Sequence, residues 1–178
     1  MIATFARRLA EKAAVRGLAF AIAIGGDEIP LVDLRGKLPT TGVYPTRSMS
    51  KVDTIVIHHS ATRGQSVFNI AEFHEQQKGW PGIGYHFVVE PNATIIWCNS
   101  IESKTNHAKD HNTHTVGVCL IGNYDIDPVP KAVKRSCTAL VVYLRERYGI
   151  EHVVFHRDIR VTDCPGRFAV IELDSLKR

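Results

Sequence analysis

The chain holds nine histidines against two methionines and two tryptophans, so imidazole chemistry is the first thing to look for. Three side chains stand out. His58 closes the β-branched run Val52-Asp-Thr-Ile-Val-Ile-His58, His156 follows the short run His152-Val-Val-Phe155, and Cys164 lies eight residues beyond His156. Two imidazoles and one thiolate are a good ligand set for Zn²⁺, and three protein ligands leave a fourth position for water, as a catalytic site requires. A structural zinc site would fill that position, usually with closely paired cysteines, and the chain has no Cys-x-x-Cys pair. Spacing alone does not single out this trio, because ligands 98 residues apart follow no pattern rule. For each ring the competing reading is a hydrogen-bonded core histidine.

The elements that would position these residues follow from length and periodicity. At 178 residues, 19.8 kDa, 44% hydrophobic and 22% charged, the chain suits one soluble domain with a short appendage. No apolar run approaches the ~20 residues that span a bilayer, so no membrane span is expected. Collagen, coiled coil, repeat arrays and long disorder are excluded by composition. Four cysteines in a chain this long make no disulfide-dense scaffold.

Residues 2–16 read as a basic amphipathic stretch and residues 18–24 as a strand. The basic part contains Glu11, the apolar part is short and no clean cleavage site follows, so a secretory signal is not expected. Synthesis in the cytoplasm follows, with the export route open. Residues 27–50, mixed in Pro, Gly, Thr and Ser, read as a wrapping extension or linker. Residues 52–58 form a probable buried strand by composition, and Ser66 caps a helix reaching Lys78, with Val67, Ile70 and Phe73 on one face and Gly79 as its stop. Residues 84–90 and 94–98 are strands joined by the hairpin signal Pro91-Asn-Ala, and residues 115–122 are another apolar strand. Pro130 opens a helix that ends at Gly149, residues 152–155 are a last strand, and a helix follows Gly166. Strands interleaved with helices predict an α/β fold: one domain over 51–178, a central mixed β-sheet flanked by helices, and an N-terminal extension over 1–50.

Charge is uneven. Residues 1–51 hold eight Lys/Arg and four acids, while residues 52–178 hold fourteen of each sign. A basic front end could attract an anionic polymer or surface, or be a solvated face. Binding of nucleic acid is not expected, because Phe5, Phe20 and Tyr44 are too sparse to interleave with the basic residues.

Several motifs recur in a fixed order: Ile57-His58-His59-Ser60-Ala61-Thr62, Gly84-Tyr85-His86-Phe87, Asn106-His107-Ala108-Lys109, Val116-Gly117-Val118-Cys119-Leu120-Ile121-Gly122, and His156-Arg157-Asp158 with Thr162-Asp163-Cys164-Pro165-Gly166. Together they resemble the zinc-dependent N-acetylmuramoyl-L-alanine amidases of the type-2 amidase and peptidoglycan-recognition superfamily, over about residues 52–170. The resemblance implies that His58, His156 and Cys164 bind Zn²⁺, that Tyr85 is catalytic, that Thr162 stands where a lysine or threonine assists, and that His107 lines the substrate cleft. It implies hydrolysis of the amide between N-acetylmuramic acid and L-alanine, with peptidoglycan or muramyl peptides as partner and action at the cell wall; separately, a monomer is expected. Tyr85 could donate to the oxyanion together with Thr162, or orient the water and relay its proton. Some related amidases carry a glutamate on the strand matching residues 118–121; here that stretch is Val-Cys-Leu-Ile. The alternative is a recognition module that binds muramyl peptides without cutting them.

Of the remaining candidates, His59 and His86 read as packed or supporting histidines, and His111 and His114 as solvated loop residues or as part of the cleft rim. Cys98, Cys119 and Cys137 read as small buried apolar groups. Trp80 and Trp97 either pack or stack on sugar.

Overall fold

Among residues 19–24 and 27–177, which the computed structural model describes, seven strands and four helices form. The amphipathic stretch expected over residues 2–16 lies outside the described residues. β1 (Ala19–Ile24) and β2 (Asp27–Asp33) make an antiparallel pair, with Ile22 of β1 and Ile29 and Leu31 of β2 buried. This corrects the reading of residues 27–50 as extension or linker alone. Alternation of Ile29 and Leu31 against Glu28 and Pro30 is a strand period, and Pro30 falls just before the Leu31–Asp33 stretch that pairs with β5. The rest of that segment does wrap: Leu34 donates its N–H to the Trp97 carbonyl (2.9 Å) and the Tyr44 hydroxyl donates to the Gly82 carbonyl (2.8 Å).

The β-branched run forms β3 (Thr54–His59), buried from Ile55 onward. α1 (Val67–Gln76) starts at Ser66, whose Oγ accepts the Asn69 N–H while Asn69 Oδ1 accepts the Ser66 N–H, a reciprocal cap. Val67, Ile70, Ala71 and His74 are its buried stripe. Phe73, expected on that stripe, is 47% exposed; at 3.6 residues per turn it lies about 100° around the helix from the stripe's centre. β4 (Phe87–Val89) and β5 (Ile95–Trp97) form the expected hairpin, shorter than predicted at both ends. β6 (Thr115–Leu120) is followed by α2 (Lys131–Tyr148), which closes at Gly149 in the left-handed region (φ 67°). β7 (His152–Phe155), the single turn α3 (His156–Ile159) and α4 (Arg167–Leu173) complete the chain.

The sheet order is β1-β2-β5-β4-β6-β3-β7. β3 runs parallel to both β6 and β7, and β6 parallel to β4, while β5 opposes β4. One face presents Ile55, Ile57, Phe87, Val116, Val118 and Leu120 to α2 and α4. The opposite face presents Val88, Ile96 and Cys119 to α1 and to Leu34 and Leu38. His58 faces this second side, paired with Cys119, at the carboxyl ends of the parallel strands where α/β sheets place their sites.

Two fully or nearly buried histidines tie the sheet to its loops and give it a pH dependence. His86 accepts the Gly117 N–H at Nδ1 (3.0 Å) and contacts the Ser103 carbonyl through Nε2 (2.9 Å); burial first, then the Arg47 guanidinium, lowers its pKa to about 3. His74 accepts the Gly84 N–H at Nδ1 (3.1 Å), and burial with Lys78 nearby lowers it to about 4. Both are neutral in the fold, whereas in the unfolded chain each would protonate near pH 6.5. Stability is therefore complete above that value and is lost as pH falls toward the depressed folded values. Thermal unfolding from pH 7 to 4.5 should show the melting temperature falling steadily, with His86 alone contributing about 3 kcal/mol of loss at pH 4.5. A flat profile over that interval would contradict the neutral buried pair.

Candidate metal and catalytic site

Adjacent residues on a strand point to opposite faces, so β3 sends His58 and His59 to different tasks. His58 is 1% exposed and turns toward the α1 side. His59 turns the other way, stacks on Tyr124 (6.2 Å between ring centroids) and accepts the Tyr124 N–H at Nδ1. Its own N–H donates to Cys164 Sγ (3.4 Å). His156 begins α3 directly after β7, which pairs with β3, and its ring lies 4.4 Å from that of His58. Cys164 arrives on the loop before α4; its carbonyl accepts the Arg157 N–H (2.9 Å) and its N–H donates to Thr162 Oγ1 (3.3 Å).

The donor atoms of His58, His156 and Cys164 all lie within 4.8 Å of one another. Cys164 Sγ and His58 Nδ1 are 3.7 Å apart. A tetrahedral Zn²⁺ with bonds of about 2.05 Å to nitrogen and 2.3 Å to sulfur would separate such a pair by about 3.6 Å, so the donor set and its spacing fit that ion. Burial, then the neighbouring His107, His156 and His59, holds His58 well below the usual histidine range; His156 is lowered by burial and by Arg160. Burial pushes the Cys164 thiol up to about 12, against the opposing His59 N–H. A cation entering this set would meet neutral imidazoles and would displace the thiol proton.

Tyr85 sits just before β4, in the stretch expected to be strand, with its carbonyl held by the Asn99 side-chain amide (2.7 Å). Its ring lies 5.3 Å from His58 and 5.5 Å from His74, which itself packs 4.7 Å from Trp80. Burial, with the Cys119 and Cys164 thiols beside it, raises the phenol well above its ordinary value, so it remains a hydrogen-bond donor at neutral pH. Thr162 is half-buried, and accepting the Cys164 N–H leaves its hydroxyl hydrogen available.

His107, expected to line the cleft, is 7% exposed and lies against His58, with Nδ1 3.1 Å from His58 Nε2 and Nε2 3.1 Å from Thr115 Oγ1. Gly117 of β6 makes room for its ring: a Cβ there would fall 2.5 Å from His107 Cγ. Trp97 stacks on Phe87 and carries the Arg35 guanidinium on its other surroundings at 3.8 Å, a packing role. His111 and His114, expected in solvent, are half-buried against each other. Cys98, Cys119 and Cys137 are buried as expected.

Two contributors have no signal in the sequence. Arg47, counted there with the basic front end, is drawn into the body, donates to the carbonyls of Ile101 and Thr115, and is lowered to about 10 by burial. Thr115 bonds His107 with nothing in its local pattern to announce it, while Gly117, a glycine inside an apolar strand, marks a close approach without naming His107 as the partner.

Residues 48–167 match the family profile described as N-acetylmuramoyl-L-alanine amidase. The endolysin of Klebsiella phage KP32 is 30% identical over 120 residues, 63% of this chain and 79% of that protein. Peptidoglycan-recognition protein SC1a of Drosophila melanogaster is 25% identical over 122 residues, 62% of this chain and 66% of that protein. The solved N-acetylmuramoyl-L-alanine amidase LysC from Clostridium intestinale URNW superimposes with a TM-score of 0.71 at 31% identity, covering 82% of this chain and 95% of its own. With two thirds of its length inside the profile and the same architecture as LysC, the chain belongs to the N-acetylmuramoyl-L-alanine amidase family.

Proposed function

We propose that this protein hydrolyses the amide between the lactyl group of N-acetylmuramic acid and L-alanine in peptidoglycan, using Zn²⁺ held by His58, His156 and Cys164. The observation that carries the proposal is the convergence of these three donors with the Tyr85 ring 5.3 Å from His58. When bound there, the ion would activate water and polarise the scissile carbonyl. The Tyr85 phenol, kept protonated by burial, is suited to donate to the oxyanion that forms as water adds to the carbonyl. The Thr162 hydroxyl, two residues before Cys164, would donate as well, since its oxygen accepts the Cys164 N–H and its hydrogen is left for another acceptor. No carboxylate stands on β6, where Cys119 occupies the inward position against Tyr85. The phenol is therefore the group best suited to relay a proton from the attacking water to the departing L-alanine amine, returning to the protonated form.

Similarity to phage endolysins supports action at the bacterial cell wall. Similarity to peptidoglycan-recognition proteins supports the second reading, a module that holds muramyl peptides without cutting them. Presence of Cys164 and Tyr85 favours the hydrolase. No helix among the described residues is long and apolar enough to cross a membrane.

Cys164→Ser should lower bound zinc and reduce hydrolysis at least 10-fold, read by metal analysis and release of L-alanine amino termini. Unchanged metal content and rate in that variant would remove Cys164 from the ligand set. Tyr85→Phe should keep zinc at one per chain while turnover drops roughly 10²- to 10³-fold, the cost typical of one lost oxyanion donor. A Tyr85→Phe protein with full turnover would take the phenol out of the mechanism.

A further inference from the structure

A metal-ligating histidine works only if the nitrogen facing the metal is free of its proton, and in a buried ring the partner of the other nitrogen decides this. Around His58 that decision can be traced to one carbonyl. The Thr115 carbonyl oxygen only accepts, and it lies 3.3 Å from His107 Nε2. Thr115 Oγ1, 3.1 Å from the same nitrogen, gives its own hydrogen to the His111 carbonyl (2.8 Å) and so is also an acceptor for His107. His107 Nε2 therefore carries the proton. A second proton, on Nδ1, would make a buried cation close to Arg47, whose guanidinium donates to that same Thr115 carbonyl (2.6 Å). Nδ1 is thus bare and accepts from His58 Nε2 across 3.1 Å. His58, with its proton committed to that bond, is left with an unprotonated Nδ1 facing Cys164 Sγ.

We propose that His107 is a positioning residue that fixes the tautomer and aim of His58, relaying the fixed polarity of the Thr115 carbonyl through two rings to the metal-facing nitrogen. The proposal rests on the reading of His58, His156 and Cys164 as ligands. The seat of His107 is built for the purpose. Gly117 leaves the space its ring occupies, and β6 is in register with β3, Gly117 opposite Val56 and Cys119 opposite His58. Arg47 binds the carbonyls of Ile101 and Thr115, pinning both ends of the loop that carries His107. A ring that holds a ligand's far nitrogen in this way acts on metal affinity.

The test reads tautomers directly, by long-range ¹H–¹⁵N correlation on the full-length ¹⁵N-labelled protein without metal and with one equivalent of Zn²⁺. Both His58 and His107 should carry their proton on Nε2 in either state. A proton on Nδ1 of either ring in the metal-free protein would overturn the relay. Zinc affinity, measured by chelator competition, should fall about 10- to 100-fold in His107→Phe. His107→Asn, whose amide oxygen can replace the Nδ1 acceptor, should stay within a few-fold of the parent. Equal losses in the two variants, or no loss in His107→Phe, would reduce His107 to a packing residue. If His107→Phe does not fold, the tautomers of the unaltered protein carry the same test. A parent protein that binds no Zn²⁺ while showing the expected tautomers would instead refute the ligand reading and leave the relay standing.

Discussion

Parallel pairing of β3 with β6 on one side and β7 on the other is the constraint on which the site depends. Register sets Ile57 opposite Phe155, so the chain leaving β7 delivers His156 to the end of β3 where His58 stands. The same register sets His58 opposite Cys119 and keeps β6 close enough to hold His107 over Gly117. Side chains alternate along a strand, so a slip of one residue in β3 would send His58 to the α2 face and His59 to the α1 side. The apolar residues Ile55 and Ile57 oppose that slip, because it would take them out of the main core. Core packing thereby specifies the aim of a polar side chain.

Burial then does the chemical tuning. His58 and His107 are buried and Tyr85 is half-buried, which keeps the imidazoles neutral and the phenol protonated, the forms that ligation and hydrogen-bond donation require. Cys164 sits on a loop, and its thiol is placed by the chain around it: the His59 N–H donates to its sulfur, and its own amide and carbonyl are bonded to Thr162 and Arg157. Two adjacent histidines thus serve one centre from opposite faces of a strand, His58 through its ring and His59 through its backbone.

Much of this was readable from the chain alone where local rules govern. The reciprocal cap at Ser66, the stop at Gly149, the β-branched run of β3 and the hairpin after Glu90 all carry short-range signals, and each element formed. The ordered motifs also identified the residues that converge at the site. Long-range features were hidden. β2 was masked by Pro30 and the polar residues around it, and Phe73 by a helical stripe whose edge cannot be placed without its partner. Arg47 looked like part of a basic front end, because the backbone carbonyls that receive it lie 54 to 68 positions away. The contact of His107 with His58 is equally long-range, because a motif names a residue without naming its neighbours in space.

The central claim is that the three donors hold a zinc ion that drives amide hydrolysis. Digestion of purified peptidoglycan, with mass identification of the new ends, tests it most directly when run with a chelator and again after Zn²⁺ is restored. The account predicts free L-alanine amino termini that vanish with the chelator and return with zinc. New termini produced equally in the presence of chelator, or wall binding with no new termini in any condition, would contradict it.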